Sequence, residues 1–316
     1  MALAIAAIFG SAVIVWAKEP AKPPKRARPP KWSPDVLDAF FPDARTKLVG
    51  NRPDYEKAAD VAAAAKPPAE GAANAGAGEP AADASVGWSK LIDAETIETE
   101  IKRVAQEVSK SVTAPAQFKG GGYKDCRREF SVLAAMFAIA GEYDGDVRWK
   151  DSAPLLRDVF ARAGRNCKVG TDQTFQEATL RKQNLADLIS GTRPKTSSAE
   201  RKAVWPQVVD RPPLMQRMNI GQQDRLQKWL ANKGEFTAHH DDAKHEAQLL
   251  TTIAEIITRE GYEYADDDTY AGYARDLKQA STDVAVAIDQ NNYEQARQAL
   301  GKASKACTEC HEGYRQ

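Results

Sequence analysis

From Trp88 onward, apolar residues recur three and four positions apart, the spacing that gathers them on one face of an α-helix. Alternating β-branched runs are few, so the pattern predicts an all-α fold. The last segment shows the period best: Tyr293, Ala296, Leu300, Ala303, Cys307, Cys310 and Tyr314 fall on one stripe. The segment before it carries Tyr270, Tyr273, Leu277, Val284 and Ile288, and is broken by Asp289-Gln-Asn-Asn. Leu249, Leu250, Ile253, Ile256 and Ile257 mark a third helix that stops at Gly261, and Leu226, Trp229 and Leu230 mark a fourth, ended by Asn232-Lys-Gly234. Four helices joined by short connections predict an antiparallel bundle.

An internal repeat doubles this picture. Phe118 matches Phe236, Arg157-Asp158 matches Arg275-Asp276, and TFQEA at 174–178 matches NYEQA at 292–296, all with an offset of 118 residues. The stretch EFSVLAAMFAIAGEY aligns with HEAQLLTTIAEIITREGY after a slip of about one residue. The expectation is two consecutive antiparallel four-helix bundles, at 88–195 and 205–316, behind a linker-rich N-terminal region. At the common offset Cys307, Cys310 and His311 fall on Ile189, Thr192 and Arg193, so whatever those three residues do belongs to the second copy alone.

The N-terminal region differs in composition. Residues 1–17 carry no charged side chain and end in an apolar run whose Val15-x-Ala17 resembles a small-residue cleavage site; the run is shorter than the roughly 20 residues that span a bilayer. It reads as an export signal or, through residues 2–17, a membrane anchor, which places the protein in the periplasm or another extracytoplasmic space. The usual basic start is missing, and Lys22, Lys25, Arg26 and Arg28 follow the run, against the usual charge asymmetry. Residues 18–87 are a Pro-, Ala- and Gly-rich linker, interrupted at 35–50 by a short apolar segment with Leu37, Phe40, Phe41 and Leu48. Over the 316 residues, 44 basic side chains balance 44 acidic ones, so no global field exists to draw in nucleic acid.

The chemistry is concentrated at the end of the chain, KACTECHEGYRQ, where Cys307, Cys310 and His311 spell CxxCH. On a helix the two thiols and the imidazole share one face. That pattern attaches a c-type haem: the thiols form thioethers with its vinyl groups and the histidine ligates its iron. Zinc would require a fourth ligand and usually a second paired motif. His239, His240 and His245 lack such a spacing and read as a solvated helix start, and the carboxylates of Asp266 to Asp268 read as a solvated loop. No general acid, general base or nucleophile constellation accompanies the motif, so the reading is not an enzyme.

A CxxCH on the last helix of a four-helix bundle, followed by Tyr314 and Arg315 in CTECHEGYR, resembles the class II cytochromes c, the cytochrome c′ family. The resemblance covers residues 211–316 well, extends over 93–191 as a divergent copy without the haem motif, and leaves out 1–87. It implies one covalent haem c held by Cys307 and Cys310, with His311 on the iron. The family divides over the sixth iron position. High-spin members leave it open to small gases; low-spin members fill it with a methionine from the first helix. Met218, eight residues before Leu226, lies on the predicted buried stripe and before the KGE turn as that ligand does, with Met215 as the other candidate.

A His311 and Met218 pair implies electron transfer between redox donor and acceptor proteins; an open distal site implies a sensor or scavenger of nitric oxide or carbon monoxide. A third reading is a haem-bearing structural or docking subunit of a redox complex. The resemblance also implies a homodimer, although the first bundle competes for the surface a second copy would use. In that bundle Cys126 and Cys167 fall where antiparallel neighbouring helices meet, so a disulfide and two separate buried thiols are both open readings.

Overall fold

Helix α1, Ala94–Ser111, forms because Ile97, Ile101, Val104 and Val108 line one face, and that face is fully buried. The computed structural model describes residues 87–192, 194 and 202–315, and among them the fold is all-α, without a strand. The expected export segment at 1–17, the linker up to residue 86 and the apolar segment at 35–50 lie outside the described residues. Seven further long helices follow α1: α2 Tyr123–Glu142, α3 Ala153–Asn166, α4 Asp172–Ile189, α5 Arg211–Asn219, α6 His240–Ile256, α7 Asp268–Asp289 and α8 Tyr293–Tyr314.

Local chemistry starts these helices. Thr171 and Thr174 form a reciprocal capping box at α4, in which the Thr174 amide donates to Thr171 Oγ1 at 3.2 Å and the Thr171 amide to Thr174 Oγ1 at 2.8 Å. Asp267 Oδ1 accepts from the Thr269 and Tyr270 amides at 2.9 Å and opens α7. Asn292 accepts from the Gln295 amide at 3.1 Å and opens α8, directly after Asn291 turns the chain with φ 52°.

The predicted helices at 270–288 and 293–314 match α7 and α8 closely. The one predicted to run to Gly261 ends at Ile256, and the chain then winds through an irregular stretch in which Gly261 takes φ +90° and Tyr264 φ +65°. Gly234 does not sit in a bare turn: Asn232 caps a further short helix, Lys233–Ala238. The first helix of the second half is continuous from α5 to Trp229, but passes through a widened π turn at Ile220–Leu226.

The helices pack mainly on neighbours within each half. In the first half α2 packs on α1, α3 and α4, and α1 and α3 also meet α4; in the second, α6 packs on α5, the π turn and α7, and α7 on α8. One apolar core runs through both halves. Stacked rings form its first part, with Phe160 5.6 Å from Phe137 and 6.0 Å from Phe130 between centroids. The connection between the halves is itself packed. Trp205 lies tilted against Trp88 at 5.5 Å, and the Tyr262 hydroxyl donates to the Val209 carbonyl at 2.8 Å.

Helices α5 and α2 are in contact across the halves, and beside them lies a buried ionic network. Arg217 of α5, 1% exposed, donates from Nε and Nη2 to Glu100 of α1 at 2.8 and 3.2 Å, and from Nη1 and Nη2 to Glu246 of α6 at 2.6 and 2.9 Å. Arg103 and His245 also contact Glu100, and Arg225 contacts Glu246. His245 is thus part of this network rather than of a solvated helix start. Burial would raise both carboxyls, but the surrounding guanidinium groups hold Glu100 well below the usual carboxylate range and Glu246 below it. Nearby Glu129 goes the other way: burial pushes its carboxyl up despite Arg103 and Arg128, and its Oε2 has no hydrogen-bond partner.

Two outcomes follow from this packing. Phe160→Ala should lower the free energy of unfolding by about 3–5 kcal/mol in urea titrations, through lost ring contacts and a residual cavity. Glu129→Gln tests the sign of the raised carboxyl. A raised folded-state pKa contributes stability below the unfolded value and loses it as pH rises through the folded one. The variant should therefore gain stability relative to the parent as pH rises above about 4.5, and a gap that stays flat with pH would contradict the assignment.

Candidate functional site

Helix α8 carries Cys307, Cys310 and His311 in its last two turns. The corresponding helix of the first half, α4, ends at Ile189, the residue aligned with Cys307, whereas α8 runs seven residues further to Tyr314. The first half thus lacks the stretch of helix that carries the motif as well as the motif itself. Both thiols are half-buried and pack on the edge of the core; the imidazole is exposed. Burial pushes the Cys307 thiol up to about 11 and raises Cys310, against the pull of the Arg211 charge. Partial burial and the Arg315 charge lower the His311 pKa from its usual 6.5, which keeps the imidazole neutral at pH 7 and able to ligate.

Two hydrogen bonds set the register of this helix against the first helix of its half. The Tyr293 hydroxyl donates to the Ala231 carbonyl at 3.1 Å, and Gln222 Nε2 donates to Ser304 Oγ at 2.7 Å. Advancing along α8 thus means retreating along the other helix, so the two are antiparallel. Met218 lies four residues before Gln222, and Cys307 and Thr308 lie three and four after Ser304. Each step is about one turn, so Met218 comes to the level of Cys307, and Leu214 and Met215 come to the level of His311. Met218 is buried at 6% exposure; Met215 is partly buried.

Beyond the motif stands a wall of four tyrosines that periodicity alone did not assemble. The Tyr314 ring lies 5.1 Å from Tyr264, 5.4 Å from Tyr270 and 6.5 Å from Tyr273 between centroids. The Tyr314 hydroxyl donates to Asp267 Oδ1 at 2.8 Å, the same oxygen that caps α7. Asp267 is therefore a structural acceptor rather than part of a solvated acidic run. The Arg211 guanidinium sits 5.4 and 5.6 Å from the Tyr264 and Tyr270 ring centres and pairs with Glu263 at 2.7 Å. Arg211 is close enough to offset part of the rise that burial imposes on Tyr270, yet that hydroxyl, in a residue 1% exposed, makes no hydrogen bond of good geometry.

These features fit a flat apolar ligand with an anionic edge. The thiols and the imidazole are on one face, the wall is aromatic, and a buried hydroxyl without a partner stands beside Cys310 together with an arginine. Among the described residues no three His, Cys, Asp or Glu side chains converge as a direct metal-binding group. A c-type haem does not require such convergence, because its cysteines bond the porphyrin edge and only the histidine meets the iron. Two hollows of about 560 and 210 Å³, one beside Gly120–Gly122 and one between α7 and α8 near Val286, do not involve the motif. Comparison of the chain with protein-family models, with curated proteins and with solved structures gives no match.

Cys126, in the first turn of α2, and Cys167, at the end of α3, are held as two free thiols at 0% and 2% exposure. Burial, and then the proximity of Cys167, push Cys126 up strongly, and burial raises Cys167 to about 12. As free thiols they should resist alkylation in the native protein and each take one label after denaturation without reductant, as read by peptide mass mapping. An unchanged mass for both peptides would identify the alternative, a bridge.

Proposed function

We propose that this chain is an exported mono-haem c-type cytochrome that carries electrons between redox proteins. In this reading Cys307 and Cys310 hold the haem as thioethers, His311 is the proximal iron ligand and Met218 the sixth. The observation that supports it most is the register of α8 against α5: the buried Met218 comes level with Cys307, about one turn from the level of His311, on an antiparallel helix. The group would supply one-electron iron chemistry. The chain's own part is to keep that chemistry dry and stable in geometry.

The apolar stripe of α8, with Ala296, Leu300, Ala303 and Ala306 buried, keeps water from one side of the motif. The tyrosine wall closes the end of the bundle. A thioether sulfur is soft and uncharged, so a buried methionine favours the ferrous state and raises the potential relative to an anionic or water ligand. His311 and Met218 would both hold the iron, leaving no position free for a substrate or a gas, which suits a carrier rather than an enzyme or a gas sensor. The order and packing of the helices support the finer reading as two four-helix bundles of common design, the first without haem. Covalent attachment by CxxCH agrees with delivery out of the cytoplasm through residues 1–17.

Periplasmic production followed by a pyridine haemochrome assay should give one haem c per chain and a low-spin spectrum. Met218→Ala should keep the haem, become high-spin and bind carbon monoxide readily in the reduced form. Absence of haem would refute the cytochrome reading. Immediate, complete carbon monoxide binding by the unaltered protein would refute the sixth ligand and favour the gas-binding alternative.

A further inference from the structure

Arg217, the residue next to Met218, directs its guanidinium into the other half of the molecule. Four of the hydrogen bonds it donates go to two buried carboxylates, and two of these end on Glu100 of α1. Its fork is planar and rigid, so pairing with two carboxylates fixes direction as well as distance. The π turn begins two residues after Met218, and its packing leaves no slack. A Cβ on Gly221 would stand 2.6 Å from Glu246 Oε2 and 3.2 Å from Arg217 Nη1, so a side chain there would push on the ion pair. One helical turn ahead of Leu214, Asp210 is bound by Arg127 and Lys168 of the first half, each at 3.1 Å. The first half therefore grips α5 both at its start and beside Met218.

We propose that Glu100, from the half that lacks the CxxCH motif, is the positioning residue for the sixth iron ligand: through Arg217 it holds the turn of helix that presents Met218. This rests on the haem and Met218 assignments above. It gives the first half a function that its lack of a cofactor motif leaves unassigned. A bundle without this partner would leave Arg217 with Glu246 alone and α5 free to tilt, and a ligand one residue from a loosened anchor shifts with it. Arg103 and His245 hold Glu100 in turn, so its carboxylate enters the network already oriented.

Glu100→Gln tests this in the holoprotein. The variant should retain one haem per chain by pyridine haemochrome. It should lose much of the methionine-to-ferric-iron charge-transfer band, and its reduced form should bind carbon monoxide at least about tenfold faster, the factor equivalent to about 1.4 kcal/mol. Phe160→Leu, which weakens the first half's core at a ring stacked on Phe130 and Phe137 rather than at a member of the ionic network, should leave both readouts as in the parent. If Glu100→Gln does not accumulate as folded protein, Glu100→Asp, which keeps the charge but shortens its reach, should show the same changes in weaker form. An intact band and an unchanged carbon monoxide rate in the folded Glu100 variant would overturn the proposal, as would equal losses in Phe160→Leu, which mark general destabilisation. Failure of the underlying assignments would look different: no haem in the parent protein, or a low-spin spectrum that survives Met218→Ala.

Discussion

The guanidinium of Arg217 ties the two halves of this protein together through buried, directional bonds. Removing a charge from water costs several kcal/mol, and the cost is recovered only if every donor finds a well-placed acceptor. Arg217 meets that demand with Glu100 from α1 and Glu246 from α6, so three helices from both halves must stand at fixed distances. An apolar interface of the same size would tolerate sliding, because apolar contact has no direction. Arg225, Arg103 and His245 complete the network by holding the two carboxylates that Arg217 of α5 meets.

Two buried glutamates border this junction. Glu129 and Glu246 stand 117 residues apart, at matching places in the second helix of each half once the one-residue slip is allowed. Both carboxylates are buried among arginines at the junction, yet their electrostatics have diverged. Glu246 has Arg217 in a paired fork, which holds its carboxyl below the usual range; Glu129 has an oxygen without a hydrogen-bond partner, and burial pushes its carboxyl up. The halves also diverge at their ends, where α4 stops and α8 continues through the CxxCH turns to Tyr314. The second half thus has the longer last helix, and the first half supplies Glu100, Arg127 and Lys168 to ion pairs with α5 and the residue before it.

Much of the fold was legible from periodicity. The stripes of α7 and α8 are long, regular and closed by asparagine and aspartate signals, and the observed bounds follow them closely. Where reading by period fell short, the cause was local or tertiary. The helix placed up to Gly261 stops at Ile256, since Ile257 continues the apolar pattern without continuing the helix. The π turn at Ile220–Leu226 has no marker in composition, because a widened turn answers to what packs against it. His245 and Asp267 looked solvated among their charged neighbours. Their partners, Glu100 and Tyr314, lie 145 and 47 positions away.

What the sequence by itself determined is whatever depends on residues within one helix. The face shared by Cys307, Cys310 and His311 follows from spacings of three and four, and the amphipathic stripe beneath them follows from the same period. The tertiary structure decided what surrounds that helix: the antiparallel register that brings Met218 level with Cys307, the tyrosine wall, and the reach of Glu100 into the neighbouring half. Helical spacing sets the angle of a side chain about its own axis. Its neighbours across space are set by how helices close on one another, and here that closure is governed by directional bonds between groups far apart in the chain.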